Sequence, residues 1–264
     1  MRPVRAPDLR AWKSDGKKIA VLTAYDASAA ALVEKAGIDV ILVGDSLGMV
    51  IQGRQTTLAV TIDDIAYHSK AVARAVQRPL VVADMPFLSY QTGVDDAVRN
   101  AGRLIQQGGA AAVKLEGGNP AICEVVARLV EIGIPVMGHL GLTPQSYHQF
   151  GGFRKQAKTP EDAETLLQQA RALQTAGAFS LVLESIPFGV AAKVTGALEI
   201  PTIGIGAGPH CDGQVLVMHD ILGLADYSPP FAKVYAPVGE QMINAFENYA
   251  AEVRSGKFPP DTES

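Results

Sequence analysis

The sequence predicts an α/β fold, a (β/α)8 barrel in which eight parallel strands alternate with helices. Eight short apolar runs recur along the chain, as strands buried on both faces require, and helical patterns separate most of them. The chain has 264 residues, 48% of them apolar, and barrels of this type are usually about this long. The predicted strands span residues 19–23, 39–43, 80–83, 111–115, 135–138, 180–183, 202–205 and 215–218.

Local signals mark where several of the helices begin and end. Thr61 precedes Ile62-Asp63-Asp64, a helix start with acidic residues in the first turn. Asn119-Pro120 and Thr159-Pro160 each offer a capping side chain followed by proline at the first helical position. Gly133 and Gly177 end the helices that these two pairs begin. Strands that alternate with amphipathic helices predict a parallel sheet, and eight of them favour a closed barrel.

An open, doubly wound sheet is the alternative fold, because the sequence does not show whether the eighth strand meets the first. The glycines of GIGAG at 204–208 resemble those of a nucleotide-binding loop. The dinucleotide fingerprint, however, needs a further glycine that opens a helix, and Pro209-His210-Cys211 follows here. We therefore interpret this segment as a tight loop.

A barrel of this length needs no second domain, so we expect a single domain over residues 1–264 with a short N-terminal extension. The last predicted helix, 237–253, is interpreted as a packing element of the barrel or of an oligomer. The final six residues, PPDTES, are expected to form a disordered C-terminal tail.

Composition and charge exclude several classes of function. The net charge is −4 and the basic residues are scattered, so we expect no nucleic-acid partner and no membrane association. The sequence has no apolar run of about 18 residues, and its basic start is not followed by the apolar stretch of a secretory signal. Cys123 and Cys211 form neither a disulfide framework nor a metal motif. These observations predict a cytoplasmic protein with free thiols.

Acidic residues end three successive predicted strands, in LVGDSLGM at 42–49, VVADMPF at 81–87 and VKLEGG at 113–118. Asp45, Asp84 and Glu116 are therefore expected side by side on one rim of the barrel, where α/β enzymes keep their catalytic groups. Lys114 lies two residues before Glu116, on the same side of its strand. Hard oxygen ligands beside one cation suit Mg²⁺ that holds an anionic substrate. The alternatives are helix or turn caps for the aspartates and a structural Lys-Glu ion pair.

Three further polar residues follow predicted strands. Ser46 can donate a hydrogen bond to a substrate carboxylate, or it is a turn hydroxyl. His139 ends the fifth strand and is predicted to orient or hydrogen-bond the substrate, although a lone histidine is often only a core residue. Glu184 ends the sixth strand, across the mouth from the second, where a carboxylate can remove a carbon-bound proton. Its alternative is an ion pair with a nearby lysine or arginine.

Longer strings around these residues carry a family resemblance. VLTAYDA, LVGDSLGM, VVADMPFLSYQ, VKLEGG, MGHLGLTPQS, LVLESIP and IGIGAG occur in this order, followed by DGQVLVMHDILGL. Together they resemble the ketopantoate hydroxymethyltransferase (3-methyl-2-oxobutanoate hydroxymethyltransferase) family, from about Lys17 to about Phe246. One departure is visible in GGFRKQAK at 151–158, where Lys155 and Ala157 stand in place of an expected apolar residue and glycine.

The resemblance implies an enzyme that transfers a hydroxymethyl group from 5,10-methylenetetrahydrofolate to 3-methyl-2-oxobutanoate, giving 2-dehydropantoate for pantothenate and coenzyme A synthesis. It implies Mg²⁺ as the cofactor and a homo-oligomer, commonly a decamer. Glu184 would be the general base, and the implied metal residues are Asp45, Asp84 and Glu116. The residues that would contact the keto acid are Asp45, Ser46, Asp84, Lys114 and His139.

Two rival functions stay open at this point. A carbon-carbon lyase or phosphoenolpyruvate mutase-like enzyme would also bind a Mg²⁺-chelated keto acid on such a barrel. Those relatives are expected to carry a catalytic cysteine in a loop such as KKCG, which this sequence lacks. The second rival is a keto-acid binder without catalytic activity. A folate-dependent assay separates all three.

Overall fold

Eight parallel strands form a closed barrel in the computed structural model, which describes residues 2–225 and 229–260. Strands pair in chain order, and the eighth pairs with the first, with Ile19 opposite Gly213. This pairing confirms the barrel and excludes the open sheet. The strands are β1 Ile19–Thr23, β2 Val40–Val43, β3 Leu80–Asp84, β4 Ala112–Glu116, β5 Val136–Gly141, β6 Ser180–Glu184, β7 Thr202–Ile205 and β8 Gly213–Leu216.

The helices begin and end where the local signals predict. Thr61, Asn119 and Thr159 each accept a hydrogen bond from a backbone N–H in the first turn of the following helix. Gly133 and Gly177 have φ values of 90° and 100°, the left-handed conformation that glycine adopts after a helix. The helices are α1 Ala6–Ser14, α2 Ala27–Lys35, α3 Leu47–Val50, α4 Ile62–Ala75, α5 Val94–Gln106, α6 Pro120–Glu131, α7 Tyr147–Phe150, α8 Pro160–Thr175, α9 Phe188–Ala197, α10 Met218–Ile221 and α11 Val238–Arg254.

The strand boundaries differ from the predicted ones by up to three residues, mostly in one direction. Strands β3, β4, β5 and β6 extend past their apolar runs to include the polar residues Asp84, Glu116, His139 and Glu184. β8 starts at Gly213, two residues before the predicted start. An apolar run marks burial, whereas a strand is defined by its ladder of hydrogen bonds, and the two need not coincide. The polar residues are therefore held rigidly in strands.

The strands lie between two apolar layers, an outer one under the helices and an inner one inside the barrel. Side chains alternate along β4, so that Val113 and Leu115 belong to the outer layer under the helices, while Ala112 belongs to the inner layer. The N-terminal extension forms α1, and its Leu9 is fully buried in the inner layer with Ile19 and Leu80, the first residues of β1 and β3. Helix α1 therefore closes the amino end of the barrel and leaves the carboxyl end for chemistry.

The described residues fall into two compact units, one ending at Val217 and one starting at Met218. The second unit contains α10 and α11, and α11 matches the predicted last helix within one residue. The single domain stays a prediction. Residues 261–264 of the predicted disordered tail lie outside the described residues. Within the described ranges, no helix is long and apolar enough to cross a membrane.

Candidate active site

Strand register brings the predicted polar residues together at the carboxyl end of the barrel. Asp84 is the register partner of Lys114 across β3 and β4, and Glu116 is the partner of His139 across β4 and β5. Glu184 ends β6, opposite Gly141 of β5. Asp45 follows β2 by two residues, and its backbone N–H donates to Asp84 Oδ2 at 3.2 Å. These pairings and positions include every predicted site residue except Ser46, which follows Asp45 in the chain.

A buried ion pair lies at the centre of this group. Lys114 Nζ donates to Asp84 Oδ1 at 2.6 Å, and both side chains are 5% exposed or less. Burial opposes the charge on Lys114, but the carboxylates of Asp84, Glu116 and Asp45 outweigh it and raise the pKa of the ammonium. The sequence predicted a Lys114–Glu116 pair as the structural alternative, and the lysine instead binds Asp84.

The three carboxyl groups of Asp45, Asp84 and Glu116 outnumber the one ammonium group of Lys114 beside them. Burial raises the pKa of Asp45 well above its usual range, and repulsion from Asp84 and Glu116 raises it further. Burial also raises the pKa of Asp84, although Lys114 opposes the rise. Glu116 Oε1 is buried and accepts no hydrogen bond from the described residues. This donor set fits a divalent cation, which prefers carboxylate oxygens and supplies the missing charge.

The three carboxylates do not form a closed metal cage. Among the described residues, no group of three or more His, Cys, Asp or Glu side chains is arranged to hold a metal ion by itself. The assignment of Asp45, Asp84 and Glu116 as ligands therefore stays a prediction. A site of this kind needs oxygens from the substrate or from water to complete its coordination, as Mg²⁺ sites usually do.

His139 lies between two glutamates. Its Nδ1 is 3.4 Å from Glu116 Oε1 and its Nε2 is 3.2 Å from Glu184 Oε2, although neither contact has hydrogen-bond geometry. Burial and the charge of Lys114 lower the pKa of His139, but the two glutamates outweigh them and raise it to about 9. An imidazolium in this position lies between Glu116 and Glu184, the predicted base. Its predicted contact with substrate stays a prediction.

The backbone around Glu184 is fixed from both sides. The Glu184 carbonyl accepts from the N–H of Leu142, and the N–H of Ser185 donates to Ile205 O on β7. Ser185 has a φ of 47°, in the left-handed region that is costly for a residue with a side chain. Such strain is tolerated only where surrounding contacts impose it. The Glu184 side chain is 14% exposed, so it reaches the mouth of the barrel.

Ser46 contacts a tyrosine from β1's loop. Its Oγ lies 2.8 Å from the hydroxyl of Tyr25, which is buried, while Ser46 itself is half-buried. The Ser46 hydroxyl thus has a partner on the side of Tyr25, and its predicted contact with a substrate carboxylate stays a prediction. Ser46 precedes α3, and its side chain makes no capping hydrogen bond to that helix.

Two residues that the sequence analysis missed complete the site. Gln145, in the loop after β5, donates from Nε2 to Asp45 Oδ2 at 3.0 Å, and its backbone N–H donates to Glu116 Oε2 at 3.0 Å. The Tyr90 hydroxyl donates to Gln145 Oε1 at 2.8 Å. No local signal identifies these residues, because glutamine in TPQS and tyrosine in LSYQ are ordinary loop residues until the fold brings them to the carboxylates.

A model of the ketopantoate hydroxymethyltransferase family matches residues 3–261 of this chain. The chain belongs to the ketopantoate hydroxymethyltransferase family. Curated relatives cover nearly its whole length. A 3-methyl-2-oxobutanoate hydroxymethyltransferase of Moorella thermoacetica is 56% identical over 262 residues, which are 99% of this chain and 97% of the relative. One of Thermosynechococcus vestitus is 54% identical, with 98% and 99% covered. The chain is therefore an enzyme, a hydroxymethyltransferase.

Solved structures of other enzymes share the fold. A phosphoenolpyruvate phosphomutase of Streptomyces platensis subsp. rosaceus has a TM-score of 0.66 at 17% identity, covering 98% of this chain and 92% of that one. A phosphonopyruvate hydrolase in complex with oxalate and Mg²⁺ has a TM-score of 0.65 at 13% identity, with 99% and 92% covered. Identities this low show the barrel fold alone, so the rival lyase or mutase function rests on the fold only.

The loop that departs from the family resemblance lies against the end of β6. Gln156 N–H donates to Ser185 O at 2.9 Å, and Lys155 Nζ lies 5.4 Å from the centroid of the Phe188 ring. Ala157 is buried with a φ of 52°, a conformation in which glycine carries no steric cost. The expected glycine at 157 therefore has a physical reason, and this family member accepts the strain of alanine there.

Proposed function

We propose that this enzyme transfers a hydroxymethyl group from 5,10-methylenetetrahydrofolate to 3-methyl-2-oxobutanoate. The products are 2-dehydropantoate and tetrahydrofolate, with one water consumed, as a step of pantothenate and coenzyme A synthesis in the cytoplasm. The observation that carries this proposal is that two 3-methyl-2-oxobutanoate hydroxymethyltransferases match nearly the whole chain, at 56% and 54% identity. The Lys114–Asp84 pair and the nearby carboxylates support it, because they suit an anionic keto acid held with Mg²⁺.

Each predicted site residue has its own role in this reaction. Asp45, Asp84 and Glu116 would hold Mg²⁺, which when bound supplies positive charge to the keto and carboxylate oxygens of the substrate. Lys114 adds a fixed charge beside the same oxygens, where negative charge develops. Glu184 removes the proton from C3, and the electron pair left on that carbon forms the new bond to the methylene carbon of the folate. The two C–N bonds of that carbon break, the oxygen of the consumed water becomes the new hydroxyl group, and the C3 proton and the second proton of the water go to the two nitrogens of the departing tetrahydrofolate.

His139 has a supporting role in this scheme. Its ring lies between the two glutamates, with Nε2 3.2 Å from Glu184 Oε2 and Nδ1 3.4 Å from Glu116 Oε1, and so places a positive charge beside the predicted base. Ser46, which follows Asp45 in the same loop, would donate a hydrogen bond to the substrate carboxylate. Both residues therefore act on the substrate or on the base and do not form covalent bonds.

The test of this function is a folate-dependent assay with product detection by mass spectrometry. Keto acid, 5,10-methylenetetrahydrofolate and Mg²⁺ are expected to give 2-dehydropantoate, and chelation of the metal is expected to stop turnover. Turnover of the keto acid without folate would instead indicate a carbon-carbon lyase. Binding of keto acid with no product under any folate condition would indicate the non-catalytic binder.

Replacement of Asp84 or Asp45 by asparagine is expected to weaken Mg²⁺ binding on the order of 100-fold or more, because each change removes charge from a site with few anionic ligands. Calorimetry with Mg²⁺ in the presence of keto acid measures the affinity. Asp96→Asn is the control, since Asp96 pairs with Arg99 on the surface. Unchanged affinity in both site variants would exclude these residues as metal ligands.

We also propose a homo-oligomer, with a decamer as the expected assembly. Helix α11 supports this proposal, because its 17 residues include no buried side chain. Its exposed apolar residues recur at helical spacing, as a face that packs on another copy requires. They are Met242, Ile243, Phe246, Tyr249 and Val253.

Mass photometry tests the assembly. The wild-type enzyme is expected to run as a defined oligomer, and Phe246→Glu is expected to dissociate it because a charge would be buried at the contact. Asn248→Glu is the control, since it adds the same charge at an exposed position that is neither three nor four residues from any of these apolar side chains. A monomeric wild type, or an unchanged oligomer in Phe246→Glu, would contradict this role for α11.

A further inference from the structure

The catalytic scheme does not use Gln145, although the side chain of this residue makes four hydrogen bonds at the site. It is 6% exposed. Its Nε2 donates to Asp45 Oδ2 and to Met85 O, each at 3.0 Å. Its Oε1 accepts from the Tyr90 hydroxyl at 2.8 Å and from Gln91 Nε2 at 3.1 Å. All the donors and acceptors of one amide are therefore used.

These contacts fix the orientation of the amide. The N–H of Glu116 donates to the Tyr90 oxygen at 3.0 Å, so the Tyr90 proton is left to donate, and Gln145 Oε1 is its nearer acceptor. A flipped amide would place its oxygen against the Asp45 carboxylate and the Met85 carbonyl. It would also place its NH₂ group against that of Gln91. Acceptors would then face acceptors and donors would face donors, so only the observed orientation satisfies every group.

One residue thereby engages two of the carboxylates. The side chain of Gln145 occupies Oδ2 of Asp45, and its backbone N–H occupies Oε2 of Glu116 at 3.0 Å. The remaining oxygen of Glu116, Oε1, is buried without a hydrogen bond from the described residues. When one oxygen of a carboxylate is held by a hydrogen bond, the other oxygen points in a defined direction. Residues that hydrogen-bond to a metal ligand change the affinity for the metal in this way.

We propose that Gln145 is a positioning residue that selects which oxygens of Asp45 and Glu116 face a divalent cation, and that Tyr90 acts through Gln145 by fixing the orientation of its amide. This inference rests on the proposed metal role of these carboxylates. It assigns a function to the loop after β5 that does not require contact with either substrate.

The experiment measures Mn²⁺ binding by the electron paramagnetic resonance signal of free Mn²⁺, with oxalate present as an unreactive dianion in place of the keto acid. Gln145→Met keeps the length of the side chain and removes its hydrogen bonds. We expect it to weaken Mn²⁺ binding by about 10- to 100-fold, the usual cost of losing a group that orients a metal ligand. Tyr90→Phe removes the hydrogen bond to Gln145 Oε1 and the one accepted from the Glu116 N–H, and is expected to weaken binding about 5-fold.

The double variant separates positioning from general damage. If Tyr90 acts through Gln145, the Tyr90→Phe and Gln145→Met double variant binds Mn²⁺ no more weakly than Gln145→Met alone, because the coupling is complete. Gln174→Met is the matched control. Gln174 Oε1 accepts from the N–H groups of Glu199 and Ile200, so this glutamine holds a loop by comparable bonds. Its loss is expected to lower thermal stability and leave Mn²⁺ affinity unchanged.

Three results would overturn the proposal. Mn²⁺ affinity of Gln145→Met within twofold of the wild type would show that Gln145 does not orient the ligands. Additive losses in the double variant would show that Tyr90 acts separately. If Gln145→Met does not fold, wild-type affinity in Tyr90→Phe is the overturning result. A wild-type enzyme that binds no Mn²⁺ with oxalate would overturn the metal role itself and this proposal with it.

Discussion

Replacing Glu184 by glutamine is expected to abolish hydrogen exchange at C3 of 3-methyl-2-oxobutanoate while leaving its binding intact. Exchange in D₂O with Mg²⁺ and no folate needs only a base and a stabilised negative charge on the substrate, so it isolates the first step. Glutamine keeps the shape of the side chain and removes its basicity. Loss of general base catalysis is expected to slow the exchange by a factor on the order of 10² to 10⁴.

Loss of the C3 proton signal in NMR measures this exchange. The backbone contacts of Leu142 and Ser185 that fix residue 184 do not involve the carboxylate, so the fold around the variant is expected to persist. Glu164→Gln is the control, because Glu164 pairs with Lys193 at the surface. Exchange at the wild-type rate in Glu184→Gln would assign proton removal to another group. His139 is an unfavourable candidate, since its pKa of about 9 leaves it protonated at neutral pH.

Replacing Lys114 by methionine is expected to destabilise the fold as well as weaken substrate binding. Lys114 and Asp84 are almost fully buried, and removal of one partner of a buried pair leaves an uncompensated charge. Such a loss usually costs about 3–5 kcal/mol in the free energy of unfolding. Loss of one charge-assisted hydrogen bond to the keto acid is expected to reduce its affinity by roughly 1.5–3 kcal/mol.

Denaturant unfolding measures the first effect and calorimetry with keto acid measures the second. Lys193→Met provides the matched control, because the Lys193–Glu164 pair has the same chemistry but side chains that are 58% and 49% exposed. Its loss is expected to change the free energy of unfolding by about 0–1 kcal/mol. Unaltered keto-acid affinity in Lys114→Met, together with reduced stability, would support a purely structural ion pair.

Much of the site followed from short-range sequence signals. Side chains alternate strictly along a strand, so Lys114 and Glu116 had to share a face once VKLEGG was identified as strand β4. Parallel strands expose their carboxyl ends on one rim, so acids at the ends of neighbouring strands had to lie near each other. Capping residues such as Thr61 act within one turn of their helix, and they were predicted correctly for the same reason.

Other features depend on contacts between distant parts of the chain. The closure of the barrel required β8 to pair with β1, which no local pattern encodes. Which partner Lys114 binds was also undetermined, and the structure pairs it with Asp84 of the neighbouring strand. The position of His139 between Glu116 and Glu184 depends on the register of three strands. Register is set by packing of the whole sheet, so these pairings were open alternatives.

The sequence by itself therefore determined the eight strands, a parallel α/β fold with the closed barrel favoured, the polar residues at the ends of its strands and the family. The tertiary structure alone decided how those polar groups are oriented. Gln145 reaches Asp45 across 100 residues of sequence, and it leaves Glu116 Oε1 without a hydrogen bond from the described residues. Periodicity specifies the face of a strand on which a side chain lies. The hydrogen bonds of a carboxylate depend on atoms that only folding brings within about 3 Å of it.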